Sequence, residues 1–213
     1  YVYNGDYGSN KVKFGAYYGG SSKRNIKNVD LKNNRKNTWG TGFVFNHEID
    51  SIQNVTVAAG FTRQISENAN KTAYYSNAYA LGLAYNFVHT TYGLDLAHKD
   101  TKNKGGAGNK VKNNEVTAVI RQGLNEDWNV YAMYSYKTEK TLPAGSAYSK
   151  STDRQFLVGT EYYVFKQGSV KVKPFIEWQA TRTKYENTFD KDSGKQLDRS
   201  RDFKTVIGLR AYW

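Results

Sequence analysis

The chain has 213 residues and is basic, with 31 Lys and Arg against 19 Asp and Glu and a net charge of +12. Aromatic residues make up 15% although the hydrophobic content is only 38%, which excludes a disordered polyelectrolyte. No apolar run is long enough for a transmembrane helix, and the absence of Cys excludes disulfides and thiolate chemistry.

Taken in order, ten segments alternate apolar with polar or small residues, the period-two signature of strands whose two faces meet different surroundings. KVKFGAYY puts Val12, Phe14, Ala16 and Tyr18 on one face and Lys11, Lys13, Gly15 and Tyr17 on the other. WGTGFVFN, NVTVAAGFT and YSNAYALGLAYNF carry Trp39, Phe61, Leu81 and Leu83 on the apolar face. Their other face is small: Gly40, Gly42, Ala58, Gly60, Ala78, Ala80, Gly82 and Ala84. YGLDLAH sets Leu94 and Leu96 against Gly93 and Asp95, and NEVTAVIR sets Val116, Ala118 and Ile120 against Glu115 and Arg121. WNVYAMYSYK, FLVGTEYYV and VKVKPFIEWQA follow, the last two with Glu161, Lys171, Lys173 and Glu177 on the polar face. FKTVIGLRAYW puts Phe203, Ile207, Leu209 and Trp213 opposite Lys204 and Arg210.

Short links near 47–52, 88–91, 124–127 and 166–168 alternate with long polar links near 20–37, 64–74, 99–113, 138–153 and 186–202. This predicts an all-β, antiparallel up-and-down meander forming one domain over 1–213. Ten strands are read and twelve are allowed, because residues 1–10 and the weak Ile26, Val29, Leu31 pattern offer further pairing. The long links read as flexible and solvated. A start at Tyr1 rather than Met is what a processed or trimmed chain would show.

Alternation alone does not say which face meets water. Three features point the apolar face toward lipid. Aromatics gather near strand ends, with Phe45, Tyr85, Tyr92, Trp128 and Trp213 toward the short turns and Tyr18, Trp39, Phe61, Tyr134, Trp178 and Phe203 toward the long links. The polar face of the second to fifth segments is Gly and Ala rather than Lys, Glu and Thr. The loop lengths are asymmetric, as in membrane barrels.

On these residues the chain resembles the bacterial outer-membrane β-barrel class. FKTVIGLRAYW looks like the C-terminal strand by which such proteins are recognised by the barrel-assembly machinery, with Trp213 where Phe is usual. Within the class the chain is similar to small monomeric porins of the oligogalacturonate-porin type, which have twelve strands. The resemblance implies an outer-membrane location and lipopolysaccharide as a neighbour.

In a closed meander the last strand pairs with the first. Lys11, Lys13, Lys171, Lys173 and Arg210, with Arg121, are then expected to form a basic track in the lumen, a path for small anionic solutes. The competing expectation is that Asp95, Glu115, Glu161 and Glu177 pair with those cations and plug it. Two links are strongly basic: Lys23, Arg24, Lys27, Lys32, Arg35 and Lys36 face only Asp30, and Lys102, Lys104, Lys110 and Lys112, with Lys99, face only Asp100. They are expected to gather anions, to grip lipopolysaccharide or another anionic surface, or simply to be solvated. Trp39, Trp128, Trp178 and Trp213 are the expected interface anchors.

Neither nucleic-acid binding nor a cofactor or metal is expected: no basic groove interleaves with exposed aromatics, and no phosphate loop or ligand spacing occurs. An enzyme is not expected. His47 and His89 fall at short turns, and His98, near Asp95 and Asp100, is the single candidate for a hydrolytic acid–His pair. The leading function is therefore a porin, ahead of a non-conducting barrel that binds an anionic surface and, third, a hydrolase.

Overall fold

A computed structural model describes residues 1–20, 33–68, 73–103, 110–143, 147–168, 170–189 and 195–212. They form one twelve-stranded antiparallel sheet. The strands are β1 (Val2–Tyr7), β2 (Asn10–Gly19), β3 (Asn33–Asp50), β4 (Gln53–Asn68), β5 (Ala73–Phe87), β6 (Thr90–Asn103), β7 (Lys110–Gly123), β8 (Trp128–Leu142), β9 (Ser149–Tyr162), β10 (Phe165–Gln167), β11 (Val170–Glu186) and β12 (Arg199–Tyr212). Each long strand pairs with its neighbours in sequence, as an up-and-down meander requires.

Two strands lie beyond the ten read from alternation. β1 pairs with β2 through the turn Gly8–Ser9, where Gly8 takes φ 70°, a conformation that glycine adopts without strain. β10 continues β9 past a break at 163–164 and lies along the same edge of β11. Each is six residues or fewer, too short to show a clear period.

The polar links are also shorter than the sequence implies. β3 to β9, β11 and β12 run for 14–18 residues, whereas roughly 9–11 suffice to cross a membrane. Lys102, Lys110 and Lys112 are therefore strand residues rather than loop residues, and the backbone of Arg35 and Lys36 belongs to β3. The reason is physical: beyond the bilayer both faces of a strand meet water, so the backbone ladder persists while the hydrophobic alternation stops. Lys23, Arg24, Lys27, Lys32, Lys104 and Trp213 lie outside the described residues.

Exposure identifies the faces. Among the described residues no hydrophobic side chain is buried, and Ile207 stands 76% exposed. Ser135, Glu161 and Lys173, all on the opposite parity, are buried. This inverts the pattern of a water-soluble protein, and an apolar surface of that extent is matched by lipid rather than water.

Aromatic rows bound the apolar band. Toward the long-link end Trp39, Phe61 and Tyr79 form a chain of rings with centroids 5.0 and 4.9 Å apart, and Trp178 stacks on Phe203 at 6.2 Å. Toward the short turns Tyr85 stacks on Tyr92 at 6.3 Å, and the Trp128 indole donates to Thr160 Oγ1 at 2.6 Å. Tyr79 to Tyr85, and Trp128 to Tyr134, are separations of about 20 Å along a strand, close to the height of the outward apolar band of a membrane barrel.

One expectation about topology is corrected. Among the described residues β1 pairs only with β2, and β12 only with β11. The strands bearing Lys173 and Arg210 are thus not brought beside the strand bearing Lys11 and Lys13. Alternation specifies faces but not which edges meet.

Candidate functional site

The inner face has two unlike walls. Register places Gly42, Gly60, Ala80 and Ala97 in one row across β3 to β6, with Ala58 beside Gly82 in the next. These residues project almost nothing from the backbone. The wall on β7 to β12 is the reverse, bearing Arg121, Tyr131, Glu161, Lys173, Glu177 and Arg210 near the short-turn end.

Glu161 is the hub of that wall. It is 4% exposed. Its Oε1 accepts from Lys173 Nζ at 2.7 Å and from Arg121 at 2.8 Å, and its Oε2 accepts from Arg210 at 2.7 Å. Arg210 spans two carboxylates, donating also to Glu177 at 2.6 Å. The Tyr131 hydroxyl donates to the same Glu177 oxygen at 2.6 Å. The Arg210 guanidinium lies 4.1 Å from the Phe175 ring centroid, and Lys173 sits near the rings of Tyr163 and Tyr212 at 5.0 and 5.3 Å. Three cations thus share two carboxylates, which leaves the cluster net positive.

Glycines on the same face let this wall close up. Tyr131 lies across Gly159, where a Cβ would come 2.6 Å from its ring, and Phe175 lies likewise across Gly208. At the other edge of the sheet, on β2 to β4, Tyr17 crosses Gly40 to reach Thr62 at 3.0 Å. Gly159→Ala should push Tyr131 off Glu177 and lower stability by about 1–3 kcal/mol. A reduced urea midpoint of the folded barrel is the readout.

Of the candidate lumen residues, the structure brings together Arg121, Lys173, Arg210, Glu161 and Glu177. It does not bring Lys11 or Lys13 to them. Lys11 pairs instead with Glu48 at 2.8 Å, both half-exposed. Lys13 and Lys171 have no partner among the described residues. Glu115 lies beside Thr117 and Ser135 at 3.4 Å, and Asp95 stands over Gly82. Trp39, Trp128 and Trp178 are all on the outward parity and exposed. Tyr131 and Glu48 escaped the sequence reading. Tyr131 shares the polar parity of its strand, but its neighbour Arg121 is a residue of the preceding strand, and only register sets them side by side.

His98 pairs with Asp100 at 3.2 Å and meets Asn114 at 2.6 Å. His98 and Asp100 share the outward parity, His98 opposite Tyr79 and Asp100 opposite Asn77 in the next row. Asp95 is on the inner face and is not its partner.

A scan against protein-family models and a search of curated proteins return no match. Solved structures do match. OmpT of Vibrio cholerae, an outer membrane protein, resembles the whole chain in two structures: an in-vitro folded trimer form at 11% identity and an outer-membrane expressed form at 12%. In both the TM-score is 0.52, with 100% of this chain covered and 80% of that one. The Serratia marcescens hemophore receptor HasR, solved as a double mutant with its hemophore HasA and heme, matches at TM-score 0.52 and 9% identity over 99% of this chain and 38% of that one. Identities this low speak to fold. Together with the inverted burial they define the class: this chain has the fold of the bacterial outer-membrane β-barrels.

Proposed function

We propose that the chain is an outer-membrane channel for passive diffusion of small polar solutes, favouring anions. The observation that carries this reading is the contrast between the two inner walls. Gly and Ala on β3 to β6 leave space free. The opposite wall holds a fixed cluster with a cation in excess. A net positive wall lowers the entry barrier for an anion, and weak contacts at several sites allow release. Lys13 and Lys171, free of carboxylates among the described residues, extend the cationic surface. β12 is proposed as the segment read by the barrel-assembly machinery. The reading assigns no catalysis to His98, which faces outward.

A second reading draws on the same cluster. Its cations are already engaged by Glu161 and Glu177 and offer a solute few free donors. That favours a non-conducting barrel whose basic outer end binds an anionic surface. Single-channel conductance of refolded protein under a salt gradient separates the two. The channel reading expects steady steps with an anion-selective reversal potential, moved toward zero by Lys13→Glu with Lys171→Glu. Protein that inserts and stays silent would overturn it.

A further inference from the structure

The outward face of β8, β9, β11 and β12 carries an arrangement that conduction does not use. Tyr134, Phe156, Ala180 and Phe203 stand in one cross-strand row, part of the aromatic boundary of the apolar band. The next row toward the long-link end reads Tyr136, Arg154, Arg182, Arg201. Three guanidinium groups therefore lie directly opposite one another on adjacent strands. The row after it adds Thr152, Lys184 and Arg199, and the one beyond pairs Lys150 with Glu186.

Like charges facing each other across a sheet are destabilising, so such a row calls for a compensating anion. The chain does not supply enough. Glu186 stands 3.7 Å from both Lys150 and Lys184, and Asp198 stands 3.7 Å from Arg199. Among the described residues no carboxylate pairs with Arg154, Arg182 or Arg201. Among the described residues Arg154 has only the Tyr136 ring, 6.0 Å away. Arg154 and Arg182 instead wall a polar recess of about 290 Å³, with Thr152, 9% exposed, also lining it. On the outward face of β6 and β7 the charges alternate instead: Asp100 faces Lys112 across the strands and lies 3.9 Å from Lys110.

Position narrows the anion. The recess opens on the lipid-facing parity, one row beyond the aromatic boundary, where headgroups replace acyl chains. It sits at the long-link end, the extracellular end in barrels of this class. Arg presents a planar fork that matches phosphate oxygens in pairs. We propose that Arg154, Arg182 and Arg201, with Lys184 and Arg199, form a binding site for the phosphorylated sugar headgroup of the outer-leaflet glycolipid, lipopolysaccharide. The acyl chains of that lipid lie along Trp178, Phe156 and Phe203 below. This rests on the membrane placement and is independent of conduction.

The test uses full-length protein refolded in detergent micelles. Lipopolysaccharide is titrated against it, and binding is read from the rise in the unfolding temperature and from co-sedimentation. The wild type is expected to bind lipopolysaccharide and to lose that binding when the lipid is enzymatically dephosphorylated. A cation near an anionic lipid surface contributes roughly fivefold in affinity, so Arg154→Gln with Arg182→Gln and Arg201→Gln should weaken binding by about a hundredfold. Arg182→Gln alone, at the centre of the row, should lose about fivefold and serves if the triple variant does not fold. Without lipid the triple variant should melt no lower than the wild type, since the repulsion it relieves along the row outweighs the one distant contact of Arg154 with the Tyr136 ring. A purely structural row would lose stability instead. The proposal is overturned if the variants keep wild-type binding, if dephosphorylated lipid binds equally well, or if inorganic phosphate raises the melting temperature as much as the lipid does.

Discussion

Glu161→Gln is expected to be the most damaging conservative change on the inner face. The amide keeps the shape of the side chain but removes the charge on which Lys173, Arg121 and Arg210 converge. Lys173 is the partner that suffers most, because its side chain is 7% exposed and has no other carboxylate within reach among the described residues. Arg121 and Arg210 are more open, at 43% and 35%, and water screens them in part. Breaking a buried pair on one side costs about 3–5 kcal/mol, and the screening places this change near the lower figure. Urea unfolding followed by heat-modifiable mobility measures it. Adding Lys173→Met should recover a large part of the loss, since the cation stranded by the first change is then gone. If the single variant is as stable as the wild type, Glu161 is not the hub described here. Under the channel reading the surviving variant should also be more anion-selective, because a fixed negative charge has left the wall.

The second large effect tests the assignment of faces. Val158 is on the outward parity near mid-band, between Ala132 and Trp178. Leu157, its immediate neighbour, is on the inward parity between Met133 and Gln179. Val158→Arg should hinder folding into lipid vesicles by about 2–4 kcal/mol, the cost of Arg on the lipid face near the midplane. Leu157→Arg, one residue away, should fold into the same vesicles to nearly the wild-type extent. In a water-soluble sandwich Val158 would lie in the core and Leu157 on the surface. Val158→Arg would then lower stability in plain buffer as well, with no lipid present, whereas the membrane placement confines its cost to insertion. The comparison needs no assumption about conduction or about lipid binding.

Much of this architecture is local and therefore legible in the chain. A strand alternates its side chains with period two whatever it pairs with, so the parities of Val12, Leu81, Ile120, Val158 and Ile207 were set by neighbours in sequence alone. The same holds for the Gly and Ala stretch on β3 to β5 and for the aromatic boundaries. Strand length was harder. Outside the bilayer the two faces no longer differ, so Lys102, Lys110 and Lys112 carry no period although they lie in ladders.

Pairing is a different kind of information. Arg121 meets Glu161 across 40 residues, and Arg210 meets it across 49. Arg154, Arg182 and Arg201 form a row because the ladders of β9, β11 and β12 hold one register; a slip by a single residue would turn a whole strand to the other face. No local pattern encodes those offsets. Composition and alternation thus establish a basic meander with one apolar face. Tertiary register decides which acid neutralises which base, which cations are left in excess, and on which side of the sheet they stand.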